Sequence, residues 1–111
     1  MKKIVYSPDY KDKLQRIKKY LRDQFGNKIE KEIIQKIRSQ VCELKNNDES
    51  GYSVQKMYGI DTEYRCIFVS HNYIFYRVDN DFIFVVNIYN EREDFMRDLF
   101  GISMTSTDED E

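Results

Sequence analysis

Apolar residues recur every three or four positions through the first 45 residues. From residue 63 onward they alternate or run together, so helices give way to strands along the chain. Lys3-Ile4-Val5-Tyr6 is a β-branched and aromatic run and reads as a short strand. Ser7-Pro8 stops it, with Ser at a helix cap and Pro at the first helical position. Behind it Tyr10, Leu14, Ile17, Leu21 and Phe25 form the apolar stripe of an amphipathic helix. Gly26 ends that helix and Asn27 is placed to cap the next. The second helix carries Ile29, Ile33, Ile34, Ile37, Val41 and Leu44, and the short link makes the two an antiparallel hairpin.

Asn46 to Gly51 is a loop by composition. From Glu63 to Ser70, Tyr64, Cys66 and Phe68 alternate with Arg65, Ile67 and Val69, as in a strand with two different faces. Ser70-His71-Asn72 turns the chain, Tyr73 to Val78 is a second strand, Asp79-Asn80-Asp81 turns again, and Phe82 to Tyr89 is a third. That last strand is apolar on both faces, which predicts a central position covered on both sides. Asp94 to Phe100 reads as a short helix closed by Gly101. The predicted order is β-α-α-β-β-β-α, an α+β domain over 1–102. An acidic tail over 103–111, rich in Ser, Thr, Asp and Glu, is expected to be disordered.

At 111 residues the chain holds one domain, which buries roughly 65% of its unfolded surface and needs no staple. No apolar run is long enough to span a bilayer, and no signal-peptide core follows Met1-Lys2-Lys3, so a cytoplasmic location is expected. Cys42 and Cys66 are too few for a disulfide framework and lack metal-ligand spacing, so both are read as small buried hydrophobes, with no metal and no cofactor implied. Charge is divided along the chain. Residues 1–45 hold thirteen Lys and Arg against six Asp and Glu, while residues 46–111 hold five against fourteen. Net charge is −2, and without the four terminal acids it is weakly positive, short of the excess expected of an autonomous nucleic-acid binder. The basic residues crowd the outer face of the hairpin, which is the ordinary solvated face of such a unit or a docking surface for an acidic partner.

The segment Asn72 to Asp94 carries the most information: Tyr-Ile-Phe-Tyr-Arg-Val, a tight turn, a β-branched run, then Arg92-x-Asp94. It resembles the sheet of the RelE/ParE superfamily, the toxins of bacterial type II toxin–antitoxin modules, and is closest to the ParE-like branch. The resemblance extends from Ile4 to Gly101 and implies a helix hairpin packed on a small, mainly antiparallel sheet, matching the order read from periodicity.

The two branches imply different chemistry. Enzymes that resemble RelE cut messenger RNA on the ribosome. They need a base at the ribose 2′-OH, cations on the phosphate and an acid at the leaving oxygen. They place a basic residue in the strand leading to the hairpin, an Arg at the start of the next strand, an Arg after the last strand, and a Tyr or His near the C-terminus. Here Arg65 and Arg92 fill two of these places and are the candidate catalytic residues, but Asn72 stands where Arg is expected and Asp98 about where Tyr is. His71 is the only histidine and lies in a predicted turn.

ParE-like members carry Tyr-x-x-Tyr-Arg before the turn, here Tyr73, Tyr76 and Arg77, followed by Arg92 and Asp94. They are thought to bind DNA gyrase and trap its cleaved-DNA state, a binding function with no chemistry of its own. On this resemblance the target- or partner-binding residues are Arg65, Tyr76, Arg77 and Arg92, and the expected function is growth inhibition by a gyrase-directed toxin of the plasmid-stabilization kind. The alternatives are a ribosome-dependent endoribonuclease acting on mRNA and a non-toxic binding module on the same fold. In every case the implied partner is a cognate antitoxin, held in a toxin–antitoxin hetero-oligomer, with no membrane involved. The structural alternative for the arginines is a surface ion pair worth about 0–1 kcal/mol.

Overall fold

The computed structural model describes residues 2–102. The elements run β1 (Lys3–Tyr6), α1 (Pro8–Phe25), α2 (Asn27–Glu43), β2 (Tyr52–Ser53), α3 (Val54–Tyr58), β3 (Arg65–Val69), β4 (Asn72–Val78), β5 (Phe82–Asn90) and α4 (Phe95–Phe100). All seven expected elements are present. The additions, β2 and α3, fall in a stretch where the hydrophobic pattern predicts no element. Two and five residues are too few to show a period, although Ser53 caps α3 and Gly59 closes it in the left-handed conformation.

The hairpin forms for local reasons. The Ser7 hydroxyl oxygen accepts from the Tyr10 amide at 3.0 Å, and Pro8 occupies the first helical turn. Gly26, at φ +90°, reverses the chain in a single residue. It takes the cap position that the sequence assigns to Asn27, which instead becomes the first residue of α2, without a side-chain cap.

The strands form one sheet in the order β1-β5-β4-β3-β2. β1 runs parallel to β5, and the other pairs are antiparallel. β5 is therefore bonded along both edges, in keeping with its apolar character. The β4–β5 register slips between Phe75 and Tyr76: Phe75 faces Asn87 while Tyr76 faces Val85, so Val86 is an extra residue in β5. The Ser7 hydroxyl donates to the carbonyl of that extra residue, tying the start of α1 to the bulge.

The hairpin covers one face of the sheet. Leu14, Leu21, Ile34, Ile37 and Val41 pack on Val69, Ile74, Val85 and Ile88, each burial contributing roughly 1.5–3 kcal/mol. The stripe outruns the sheet, leaving Phe25 and Ile29 exposed at the hairpin tip, with the exposed Tyr20 ring edge-on to Phe25. On the opposite face α3 and α4 cover Cys66, Phe75 and Tyr89. They do not reach the first half of β5, where Phe82 is exposed and Phe84 only half-buried, so the expected cover on both sides holds for part of that strand only. Cys66 is buried as expected, whereas Cys42 is exposed. It follows Val41 by one position, about 100° round the helix from the buried stripe. The acidic tail over 103–111 lies outside the described residues.

Candidate functional site

Arg65 and Tyr76 face each other across the β3–β4 ladder and point toward the hairpin side. Tyr76 has no exposed surface. Its hydroxyl donates to the Asp48 carbonyl at 2.9 Å and accepts from the Gly51 amide at 3.0 Å. Burial pushes its pKa up, opposed in part by the Gly51 amide and Arg65. Arg65 donates from one guanidinium nitrogen to the carbonyls of Gly51 and Glu49, at 2.6 and 3.0 Å. Lys2 closes the same loop from outside through Asp48 at 2.7 Å. A Cβ on Gly51 would lie 2.6 Å from the Cys66 carbonyl oxygen and 2.7 Å from the Tyr76 hydroxyl, so only glycine fits. The two residues thus clasp the loop joining α2 to β2. Tyr76 has nothing to offer a partner directly, because its ring fills the core beside Leu44 and Ile83 and its one polar atom is used internally.

Arg77, the next residue, points the other way, as strand alternation requires. It is exposed, and its guanidinium carbon sits 4.3 Å over the Phe84 ring, opposite it in register. It borders a groove walled by Ile60, Asp61, Glu63, Tyr64, Leu99 and Phe100. Among the described residues it has no ion-pair partner.

Arg92 stands on the turn between β5 and α4. Its amide donates to the Asn90 side chain at 3.0 Å, and the Glu93 carboxylate accepts from the Asn90 amide at 2.8 Å, so the turn is braced while the Arg92 side chain stays exposed. Glu93 in turn pairs with Lys13, which lies 4.5 Å over the Tyr89 ring. Asp94 forms no ion pair with Arg92. It caps α4, accepting from the Arg97 amide at 3.1 Å.

These arginines do not converge. Arg65 and Arg77 occupy opposite faces of the sheet. Arg92 lies beyond the far end of the β4–β5 ladder, and that end is itself about 17 Å from Arg77 at roughly 3.4 Å per strand residue. Asn72 is buried and donates its amide to the Ser70 carbonyl at 2.8 Å. Asp98 is exposed in the first turn of α4. His71 sits in the β3–β4 turn with φ +66° and its Nδ1 2.9 Å from the Glu91 carboxylate. Of the polar positions that nuclease chemistry would use, none lies within hydrogen-bond reach of another. Among the described residues no cluster of three or more His, Cys, Asp or Glu could hold a metal ion, and no helix is long and apolar enough to cross a membrane.

A family model for the ParE toxin of the type II toxin–antitoxin system parDE matches residues 4–95. The chain belongs to the ParE toxin family. Two solved structures share its fold. A chain of the chromosomal ParDE toxin–antitoxin system from P. aeruginosa superposes with a TM-score of 0.67 at 16% identity, covering 81% of this chain and 96% of that one. A YafQ mutant from E. coli gives 0.50 at 17% identity, covering 82% and 94%. A comparison with curated protein sequences finds no match.

Within this ParE-family chain, the sequence reading passed over one feature of the exposed sheet face. Phe82 and Phe84 lie side by side with ring centroids 5.7 Å apart, next to Val5 of β1. The signal was present: a strand apolar on both faces, followed by a single helix of only about seven residues.

Proposed function

We propose that this ParE-family chain is the toxin of a toxin–antitoxin pair and that it acts by binding DNA gyrase, with Arg77 and Arg92 as the residues that meet a partner. The observation that carries the choice over RNA cleavage is the engagement of Arg65. The guanidinium that a nuclease would need at a phosphate donates instead to two loop carbonyls, at 2.6 and 3.0 Å. The separation of Arg77 from Arg92 supports the same reading. A binding protein can spread its contacts over about 800 Å² per partner, whereas a catalytic centre needs its groups within roughly 3 Å of the reacting atoms. Antitoxin binding would neutralise such a toxin by covering the same surface.

The test pairs two assays on purified protein. In a supercoiling assay the protein inhibits gyrase. In programmed ribosomes it leaves messenger RNA uncut. Site-specific cleavage of mRNA with gyrase unaffected would replace this reading with the endoribonuclease one. Co-expression with its neighbouring open reading frames should recover a small partner on affinity purification, and the toxin–antitoxin assignment of this chain falls if none is recovered.

A further inference from the structure

The part of the sheet face left uncovered among the described residues is built like half of an interface. Lys3 and Val5 of β1, Phe82 and Phe84 of β5 and Arg77 of β4 project from three adjacent strands on the side away from the hairpin. Their register fixes this: Lys3 faces Phe82, Val5 faces Phe84, and Phe84 faces Arg77. Val5 is 39% exposed and Phe82 37%, large values for apolar side chains in a sheet. Single exposed apolar residues are ordinary, but a contiguous set rimmed by charge marks an interaction site. The two cations stand on either side of the apolar strip, on strands two apart, hence about 10 Å from one another across the sheet. Among the described residues neither has an ion-pair partner within 4.0 Å. Asp79 and Asp81 lie at the turn end of the strip, and Asp61 and Glu63 line the groove that Arg77 borders.

We infer that this strip is the docking site for an amphipathic helix of the antitoxin, with an apolar stripe flanked on both sides by Asp or Glu. The inference rests on the toxin–antitoxin reading for the source of the helix. A helix is about 10–12 Å across, which matches the spacing between Lys3 and Arg77. Its apolar stripe would lie on Val5, Phe82 and Phe84, and its flanking carboxylates would reach the two cations. Arg77, its guanidinium carbon 4.3 Å over the Phe84 ring and without an ion pair among the described residues, would meet a carboxylate there through its paired N–H donors. Seated there, the helix would hide Arg77 from any target, so neutralisation would be direct competition.

The probe is a phage-displayed library of 15-residue Ala-rich helices randomised along one face, selected on the intact protein. Selection should enrich Leu or Phe stripes bordered by Asp or Glu. Enriched clones should bind the Lys3→Glu, Arg77→Glu double variant at least tenfold more weakly, and bind a hairpin control, Lys18→Glu with Lys31→Glu, within twofold of wild type. Circular dichroism confirms that both variants remain folded. Failure to enrich any helix, or enriched clones that bind the sheet variant as tightly as wild type, would overturn the inference. So would an antitoxin whose affinity is unchanged by the sheet variant, an outcome that leaves the toxin reading standing. Absence of any neighbour-encoded partner would instead undo that reading while the library result still reports on the strip.

Discussion

Replacing Tyr76 with Phe removes one oxygen atom and separates a binding residue from a structural one. That oxygen joins β4 to two points of the loop between α2 and β2, the Asp48 carbonyl and the Gly51 amide. Asp48 is half-buried, so water can replace the lost donor there. Gly51 is buried against Cys66, so its N–H is left without a partner. A buried donor stranded in this way costs about 1–3 kcal/mol. In a domain of this size that lowers Tm by about 5–15 °C, measured as loss of the far-UV circular dichroism signal on heating. The ring itself stays in place, so the core around Leu44 and Ile83 is kept. Because Tyr76 has no exposed surface, gyrase inhibition measured well below the melt should stay within about twofold of wild type. Arg65→Ala should behave in the same way, since it removes both guanidinium bonds to the loop. Gly51→Ala should cost at least as much, because the new methyl group meets a backbone oxygen at 2.6 Å. The reasoning is refuted if Tyr76→Phe melts within about 2 °C of wild type, which would mean that the clasp contributes nothing. It is equally refuted by a normal melt with lost inhibition, which would put the hydroxyl at a partner.

Arg77→Ala and Arg92→Ala should leave the melt nearly intact, because both side chains are exposed and such changes stay within about 0.5–1 kcal/mol, while cell killing falls sharply for at least one. Loss of soluble folded protein in both would show that they are structural. Thiol labelling should modify Cys42 within the mixing time of a native sample and Cys66 only on unfolding, since Cys66 is fully buried with its thiol pushed up to about 12. Two labels at equal rates would refute the buried position. Burial also raises Tyr10 to about 12, whereas unfolded thiol and phenol groups ionise near 8.5 and 10. The unfolded chain then sheds protons that the folded chain keeps, so stability is intact below about pH 8.5 and declines as pH rises toward 12. A Tm that stays flat from pH 7 to 11 would contradict this.

The elements long enough to show a period were legible. The stripes Tyr10 to Leu21 and Ile33 to Leu44 fix both helices, and the alternation from Tyr64 to Val69 fixes β3 and its faces. What periodicity cannot give is where an amphipathic helix stops having anything to lie on. Phe25 and Ile29 fit the stripe as well as Leu21 does, yet the sheet ends before them. The clasp was equally hidden. Arg65 and Tyr76 are eleven positions apart, and the loop they hold is more than ten residues from either, so only the register of β3 against β4 brings the three together. The family pattern marked Tyr76 and Arg77 as a pair without saying that a strand sends neighbours to opposite faces. One of them therefore supports the fold from inside and the other stands exposed on the opposite face.

One extra residue in β5 determines which side chains each face of the strand presents. Ile83 and Val85 face the hairpin, and strict alternation would send Ile88 to the other face and Tyr89 into the hairpin core. The slip at Val86 restores the pattern: Ile88 returns to pack on Ile74, and Tyr89 joins Phe75 beneath α4. Both halves of β5 can then serve the same hairpin core while their opposite faces take on different tasks. Beyond the bulge that face is sealed by α4. Before it, Phe82 and Phe84 stay open beside Arg77, because α4 starts from the far end of the strand and six residues advance only about 9 Å. Among the described residues, the short length of α4, set by its Asp94 cap and its Gly101 stop, is therefore what leaves the strip uncovered.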